Sequence, residues 1–152
     1  MTTSFADYAA QADERQSTAE DILKYTQMLC EALKHNYIDY SIRNHQRSLE
    51  RGESVDYHNA RITELKNGNC DYDFIFESGR KYHKVIMVID NGPDRSASRS
   101  IHCFIDKKTG SVLKSASWNA PAKGERFNLL NEESREDILQ NASWCGGYLY
   151  AK

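Results

Sequence analysis

The chain has 152 residues, 39% hydrophobic and 28% charged, which suits one domain with its own core. Its formal net charge of −2 excludes a generally basic nucleic-acid-binding protein. No apolar run has the length of a membrane span and no segment reads as a signal peptide, so the sequence predicts a soluble, intracellular single domain over residues 1–152.

The N-terminal part of the chain has a helical pattern. Residues 1–16 contain few regularly spaced apolar side chains, which is typical of a mobile arm or a frayed helix. Ser17–Glu20 matches a capping box, after which apolar and aromatic residues recur at steps of three and four. The sequence therefore predicts an amphipathic helix from about residue 18 to at least residue 37, with a stripe of Ile22, Tyr25, Leu29, Leu33, Tyr37 and Tyr40.

The pattern of residues 41–68 leaves two structures open. Polar residues dominate up to Gly52, so the first helix either continues or breaks near Asn44. Ile62 and Leu65, followed by Gly68, favour a short helix with a glycine stop. A hairpin turn at Asn67-Gly68 is the alternative.

Apolar runs of strand length alternate with glycine turns from Tyr72 to Ala116. Ser78-Gly79 and the segment Asp106–Gly110 are the turn signals, and Asn91–Pro93 ends the second run. This pattern predicts a meander of four antiparallel strands. The predicted buried positions are Phe74, Ile86, Val88, Ile101, Phe104 and Val112.

The strand register is predicted from the turns. A two-residue turn at Ser78-Gly79 pairs Glu77 with Arg80. If Asp90 and Arg99 end the second and third strands, His83 lies opposite Asp106 and His102 lies opposite Met87. A slip of one residue would move His83 to the other face of the sheet.

The C-terminal part continues as a loop and a short helix. Pro121 and Gly124 mark the loop, and Asn131 is a helix N-cap followed by acidic residues. After the break at Cys145–Gly147, Tyr148–Tyr150 either adds a last strand or docks on the core. The predicted fold is α+β, with an N-terminal amphipathic helix on a four- to five-stranded antiparallel meander and a short C-terminal helix.

Four segments cover parts of residues 72–150 and have a familiar sequence: Gly79–Lys84 (GRKYHK), His102–Gly110 (HCFIDKKTG), Ala116–Leu130 (ASWNAPAKGERFNLL) and Trp144–Tyr150 (WCGGYLY). They resemble a family of small proteins from tailed bacteriophages, including phages of cyanobacteria and actinobacteria. The resemblance implies a phage origin and a place in the cytoplasm of the infected bacterial host. It implies no reaction, cofactor or catalytic residue.

Positive charge is concentrated in one part of the chain. Residues 80–126 contain ten Lys and Arg against four Asp and Glu, whereas the remainder contains ten against eighteen. This predicts a local anion-attracting patch, with a solvated sheet face as the ordinary alternative. Cationic side chains hold phosphates and aromatic rings stack on bases, so a surface for nucleic acid or a small nucleotide is predicted at Arg80, Lys81, Tyr82, Lys84, Lys107, Lys108, Trp118, Lys123 and Arg126.

The predicted function is therefore that of a non-enzymatic phage accessory protein with no cofactor. A protein–protein module that binds or inhibits a host factor is the alternative, for which the acidic helical half is the better surface. A catalytic face of His83, His102, Asp106, Ser115 and Ser117 is a weaker hypothesis, because the chain lacks a nucleophile or P-loop motif.

The cysteines give no metal or disulfide signal. Cys30, Cys70, Cys103 and Cys145 are widely spaced and form no CxxC pair. The sequence therefore predicts four free thiols and no metal ion, although His83 and His102 on predicted strands and Asp106 at a predicted turn are metal-ligand types.

Overall fold

A computed structural model of the protein describes residues 4–150. The α+β prediction is confirmed: a long N-terminal helix and a five-stranded antiparallel sheet are followed by a short C-terminal helix. The elements are α1 (Phe5–Glu50), α2 (Val55–Lys66), β1 (Tyr72–Ser78), β2 (Tyr82–Ile89), β3 (Ser98–Asp106), β4 (Ser111–Ser115), β5 (Pro121–Asn128), α3 (Glu132–Asn141) and a short 3₁₀ helix (Gly147–Leu149).

Helix α1 is longer than predicted, with 46 residues and a length of about 69 Å. Ser4 is its N-cap, and the Ser4 hydroxyl accepts a hydrogen bond from the Asp7 N–H (3.1 Å). The capping box predicted at Ser17–Glu20 is wrong, because these residues lie inside the helix. Residues 5–16, for which an arm or frayed helix was predicted, are helical, and residues 1–3 of that segment lie outside the described residues. No glycine or proline occurs between residues 5 and 50, so nothing in the backbone interrupts the helix before Gly52.

Helix α2 packs against α1 and lies in the segment for which the sequence left two structures open. The short helix predicted before Gly68 is confirmed, and the hairpin predicted at Asn67-Gly68 is wrong. Gly68 has a φ of +83°, and its N–H donates to the Leu65 carbonyl oxygen (3.0 Å). This left-handed glycine ends the helix and turns the chain toward β1.

The five strands pair in sequence order. The predicted pairing of Glu77 with Arg80 is wrong: Glu77 pairs with Lys84, and the last pair before the turn is Ser78 with His83. The turn is longer than two residues and is closed by the Gly79 N–H donating to the Tyr82 carbonyl oxygen (2.9 Å). The shift is an even number of residues, so the β1 and β2 side chains that the predicted register put on one face still share a face.

A β-bulge changes the pairing of β2 with β3. Val85 pairs with Cys103 and Ile86 pairs with Ile101, which leaves His102 as the extra residue. His83 consequently lies opposite Ile105, and the predicted pairs of His83 with Asp106 and His102 with Met87 are wrong.

The segment after Trp118 differs in part from the predicted loop. Pro121–Asn128 forms β5 on the edge of the sheet, where the missing N–H of Pro121 is tolerated. Gly124 has a φ of +100° within this strand, beside an irregularity in its pairing with β4. The loop is therefore shorter than residues 118–124, and the sheet gains its fifth strand.

The main core lies between α1 and one face of the sheet. Of the six predicted core residues, Phe74, Ile86, Phe104 and Val112 are buried, and Val88 and Ile101 are half-buried. The C-terminal 3₁₀ helix docks on the core through Leu149 rather than adding a strand. The core cluster consists of Ile22, Leu29, Cys30, Leu33, Phe74, Val85, Cys103, Ile105, Val112, Leu129, Ile138, Ala142 and Leu149.

Candidate functional site

Two turns lie side by side at one end of the sheet. The turn between β1 and β2 contains Arg80 and Lys81, and the turn between β3 and β4 begins at Lys107. The Lys107 ammonium donates to the Gly79 carbonyl oxygen (3.0 Å), and the Lys107 N–H donates to the Lys81 carbonyl oxygen (3.0 Å). Backbone and side chain of one lysine thus hold the two turns together.

The second turn is shaped by an aspartate. The Asp106 carboxylate accepts from the backbone N–H groups of Lys108 (2.8 Å) and Thr109 (3.0 Å). Gly110 completes the turn with a φ of +75°. Asp106 is therefore a turn residue whose side chain orients the backbone of its own loop.

Between the turns lies a cationic cleft of about 580 Å³, lined by Arg80, Lys81, Asp106, Lys107 and Lys108. Arg80, Lys81 and Lys108 are exposed, and Lys107 is half-buried. Within residues 4–150 none of these four cations forms a salt bridge. Four positive charges facing one concave space attract anions more strongly than the same charges scattered over a convex surface.

A second cavity, of about 270 Å³, adjoins the cleft. It shares Arg80 and Lys81 with the cleft, and its other lining residues include the rings of Tyr82 and Phe104. Glu77, Ser78, Gly79, Lys84 and Asn119 complete its wall. The sequence did not indicate Glu77, Phe104 or Asn119 as site residues.

Aromatic rings and cations cover the face of the sheet turned away from α1. The Lys84 Nζ atom lies 4.5 Å from the centroid of the Trp118 ring and 5.8 Å from that of Phe104. The Arg99 guanidinium lies 5.6 Å from the Trp118 centroid and forms an ion pair with Glu77. Because Trp118 is 38% exposed, its ring is available for stacking beside two cations.

This open face is organised by strand pairing. Lys84 pairs with Glu77 on one side and with Phe104 on the other, and Phe104 pairs with Leu113. These side chains therefore form a row across four strands. Arg99 was not predicted as a site residue, although it pairs with Val88 and therefore shares the face of Lys84.

The structure separates two predicted site residues from the others. Neither Lys123 nor Arg126 lines the cleft or the adjoining cavity. The Arg126 guanidinium donates to the carbonyl oxygens of Leu149 (2.7 Å), Gly124 (2.8 Å) and Lys123 (3.2 Å). Arg126 thus connects the C-terminal 3₁₀ helix to β5. The other seven predicted site residues lie in the two turns and on the open face.

The proposed catalytic face is not assembled. The Nδ1 atom of His83 lies 2.8 Å from the Ser78 hydroxyl, and Asp106 is engaged in its own turn. Burial, with a smaller effect of Lys107, lowers the pKa of His83. His102 lies elsewhere, hydrogen-bonded to Tyr148 (2.6 Å), so His83, His102 and Asp106 share no site.

Ser115 and Ser117 do not complete such a site either. Within residues 4–150 no side-chain hydrogen bond joins Ser115 or Ser117 to either histidine. The same residues contain no group of three or more His, Cys, Asp and Glu that could hold a metal ion. No helix among them is long and apolar enough to cross a membrane.

The four cysteines occupy different environments. Cys30 and Cys103 are buried, Cys70 is half-buried and Cys145 is exposed, and all four are free thiols. Burial raises the pKa of the Cys30 thiol to about 12. At neutral pH Cys30 is therefore protonated and acts as a small apolar side chain.

Comparison with known proteins identifies a family for most of the chain. A family model described as a family of unknown function, DUF7717, matches residues 5–151. No curated protein and no solved structure matches the chain significantly. The matched region includes the long helix, the sheet and the C-terminal segment, so the family model spans both the helical half and the basic half of the protein.

Proposed function

The chain belongs to the DUF7717 family, and since that family has no known function, we propose from the geometry that the protein is a non-enzymatic binding protein for a phosphate-bearing ligand, either nucleic acid or a nucleotide. The observation that carries the proposal is the cleft in which Arg80, Lys81, Lys107 and Lys108 meet beside an aromatic surface. Phosphates require cationic donors and bases require flat rings, and the site supplies both within one end of the sheet.

The electrostatics favour an anion over a neutral ligand. Within the described part of the chain the four cleft cations have no carboxylate partner that a ligand must displace. Asp106, the acidic residue of the cleft, accepts two backbone hydrogen bonds, and these partly offset its negative charge. A bound phosphate would therefore gain charge-assisted hydrogen bonds without breaking ion pairs.

An origin in a tailed bacteriophage and action in the host cytoplasm belong to the same proposal. Both rest on the resemblance of four sequence segments to phage proteins. An accessory protein that binds nucleotides or nucleic acid fits a cell in which both are abundant.

The test is a binding titration of labelled single-stranded DNA and RNA and of a nucleotide panel at 50 mM and 200 mM salt. We expect binding that weakens with salt, since each neutralised phosphate releases counterions. Reversing the exposed pair Lys81→Glu and Lys108→Glu should weaken binding by about 100-fold, because a hydrogen bond to a charged group contributes about 1.5–3 kcal/mol.

The matched control is the double variant Lys24→Glu and Lys66→Glu. These lysines are also exposed but lie on α1 and α2, so the change in net charge is identical. Both variants should retain the wild-type melting temperature within a few degrees, because exposed positions contribute little to stability. Absence of binding to every ligand, or equal weakening in both variants, would refute the proposed surface.

A second candidate function, binding of a host protein, is supported by apolar side chains exposed on the helical half. Phe5 is 86% exposed and Tyr8 is 60% exposed near the start of α1, and Val55 (48%) and Tyr57 (58%) are exposed on α2. A pull-down from bacterial lysate with and without nuclease tests it. A partner that persists after nuclease treatment and is lost on changing Phe5 and Tyr8 to serine would support this function.

A further inference from the structure

We propose that the preferred ligand of the cleft is a nucleoside di- or triphosphate rather than a nucleic-acid strand. The inference rests on the proposed function and narrows it to one ligand class. It follows from where the cations lie, from how the two turns are held, and from the cavity that adjoins the cleft.

The positive charge is compact rather than spread along a track. Arg80, Lys81, Lys107 and Lys108 face one cleft at the end of the sheet. On the open face Lys84 lies over the Trp118 ring, and the charge of Arg99 is offset by its ion pair with Glu77. A strand needs cations spaced along its backbone, whereas a polyphosphate chain places several negative charges within one such cleft.

The cleft is also preorganised. Lys107 bridges the two turns through its ammonium and its backbone N–H, and Asp106 holds the backbone of the second turn. The cations therefore project from two turns whose relative position is set before a ligand arrives. Preorganisation reduces the conformational entropy lost on binding, which benefits a small, highly charged ligand.

The adjoining cavity supplies a place for the nucleoside. Because Arg80 and Lys81 line both spaces, a ligand whose phosphates lie in the cleft reaches the cavity directly. Tyr82 is half-buried and offers aromatic surface there, and Asn119 adds a side-chain amide that can both donate and accept. With volumes of about 270 and 580 Å³, the two spaces are of the size of small-ligand sites, typically about 300–1,000 Å³.

The experiment measures the affinity of AMP, ADP, ATP, inorganic tripolyphosphate and a twelve-nucleotide single strand by calorimetry at one salt concentration. We expect affinity to rise about tenfold with each added phosphate, since each can gain a charge-assisted hydrogen bond. ATP should also bind more tightly than tripolyphosphate, because only ATP occupies the cavity.

Two variants separate the parts of the site. Lys108 lines the cleft but not the cavity, so Lys108→Glu should weaken the binding of ATP much more than the binding of AMP. Asn119 is exposed and lines the cavity but not the cleft, so Asn119→Ala should weaken the binding of ATP and leave the binding of tripolyphosphate unchanged. Neither position is buried, so both variants should fold.

The outcomes distinguish this inference from the function on which it rests. If the oligonucleotide binds more tightly than ATP, or if AMP and ATP bind equally, the inference is wrong and the phosphate-binding function stands. If tripolyphosphate matches ATP, the nucleoside part is wrong. If no ligand binds, both the inference and the proposed function are wrong.

Discussion

The Nε2 atom of His102 lies 2.6 Å from the hydroxyl oxygen of Tyr148, which joins the bulge of β3 to the C-terminal 3₁₀ helix. His102 also packs edge-to-face against Phe74 and is 9% exposed. A polar pair of this kind, inside a largely apolar core, specifies where the last residues of the chain dock.

Changing Tyr148 to Phe should destabilise the protein by about 1–3 kcal/mol, because it leaves the buried His102 ring nitrogen without its partner. The measurement is urea unfolding followed by circular dichroism. Tyr150→Phe is the matched control, since Tyr150 is 66% exposed, and it should change stability by less than about 0.5 kcal/mol. Equal effects of the two substitutions would show that the hydrogen bond does not stabilise the docking.

Stability should fall as the pH drops from about 6.5 toward 4. Burial lowers the pKa of His102 to about 4, below the value of about 6.5 expected in the unfolded chain. Between these values the unfolded chain binds a proton that the folded protein does not, so acid favours unfolding. Below pH 4 this contribution is lost completely, and above pH 6.5 it is present in full.

The check is the free energy of unfolding of the wild type and of His102→Gln at pH 7, 6 and 5. Glutamine preserves hydrogen-bonding capacity but does not titrate in this range, so the variant should lose less stability between pH 7 and 5 than the wild type. Identical pH dependence in both proteins would show that His102 is not responsible. His83, whose pKa burial also lowers, should give a difference of the same sign in His83→Gln.

Lysines from the same basic half of the sequence should differ in importance. Lys108 lines the cleft, whereas Lys123 lies on β5 and lines neither the cleft nor the adjoining cavity. We expect Lys108→Glu to weaken ligand binding about tenfold and Lys123→Glu to weaken it by less than about twofold. Affinity measured by anisotropy at 150 mM salt checks this, and a larger effect of Lys123→Glu would place the ligand elsewhere.

Trp118 should report ligand binding by fluorescence. The chain has two tryptophans, and Trp144 is half-buried against Tyr37 and Tyr72. In a Trp144→Phe background, a ligand that enters the adjoining cavity should change the emission of Trp118, because Lys84 lines that cavity and its Nζ atom lies 4.5 Å from the centroid of the Trp118 ring. Unchanged emission at saturating ATP would show that no nucleoside enters this cavity.

The sequence alone predicted the α+β fold and the antiparallel meander. Local signals explain this success: a period of two marks each strand, Asn131 caps α3 and Gly68 ends α2. The predicted register of β1 and β2 was wrong by an even number of residues, so the side chains that it put on one face still share a face. Four of the predicted site residues also meet as expected, since alternate hairpin turns of a meander lie at the same end.

The tertiary structure decided what depends on contacts distant in sequence. The bulge at His102 is set by its packing against Phe74 and its bond to Tyr148, and it places His83 opposite Ile105 instead of Asp106. In the same way, Arg126 is held by the carbonyl oxygen of Leu149, 23 residues away, which removes it from the basic surface. Periodicity specifies which residues are apolar and where the chain turns, but which side chains meet is decided by packing between elements that no local pattern encodes.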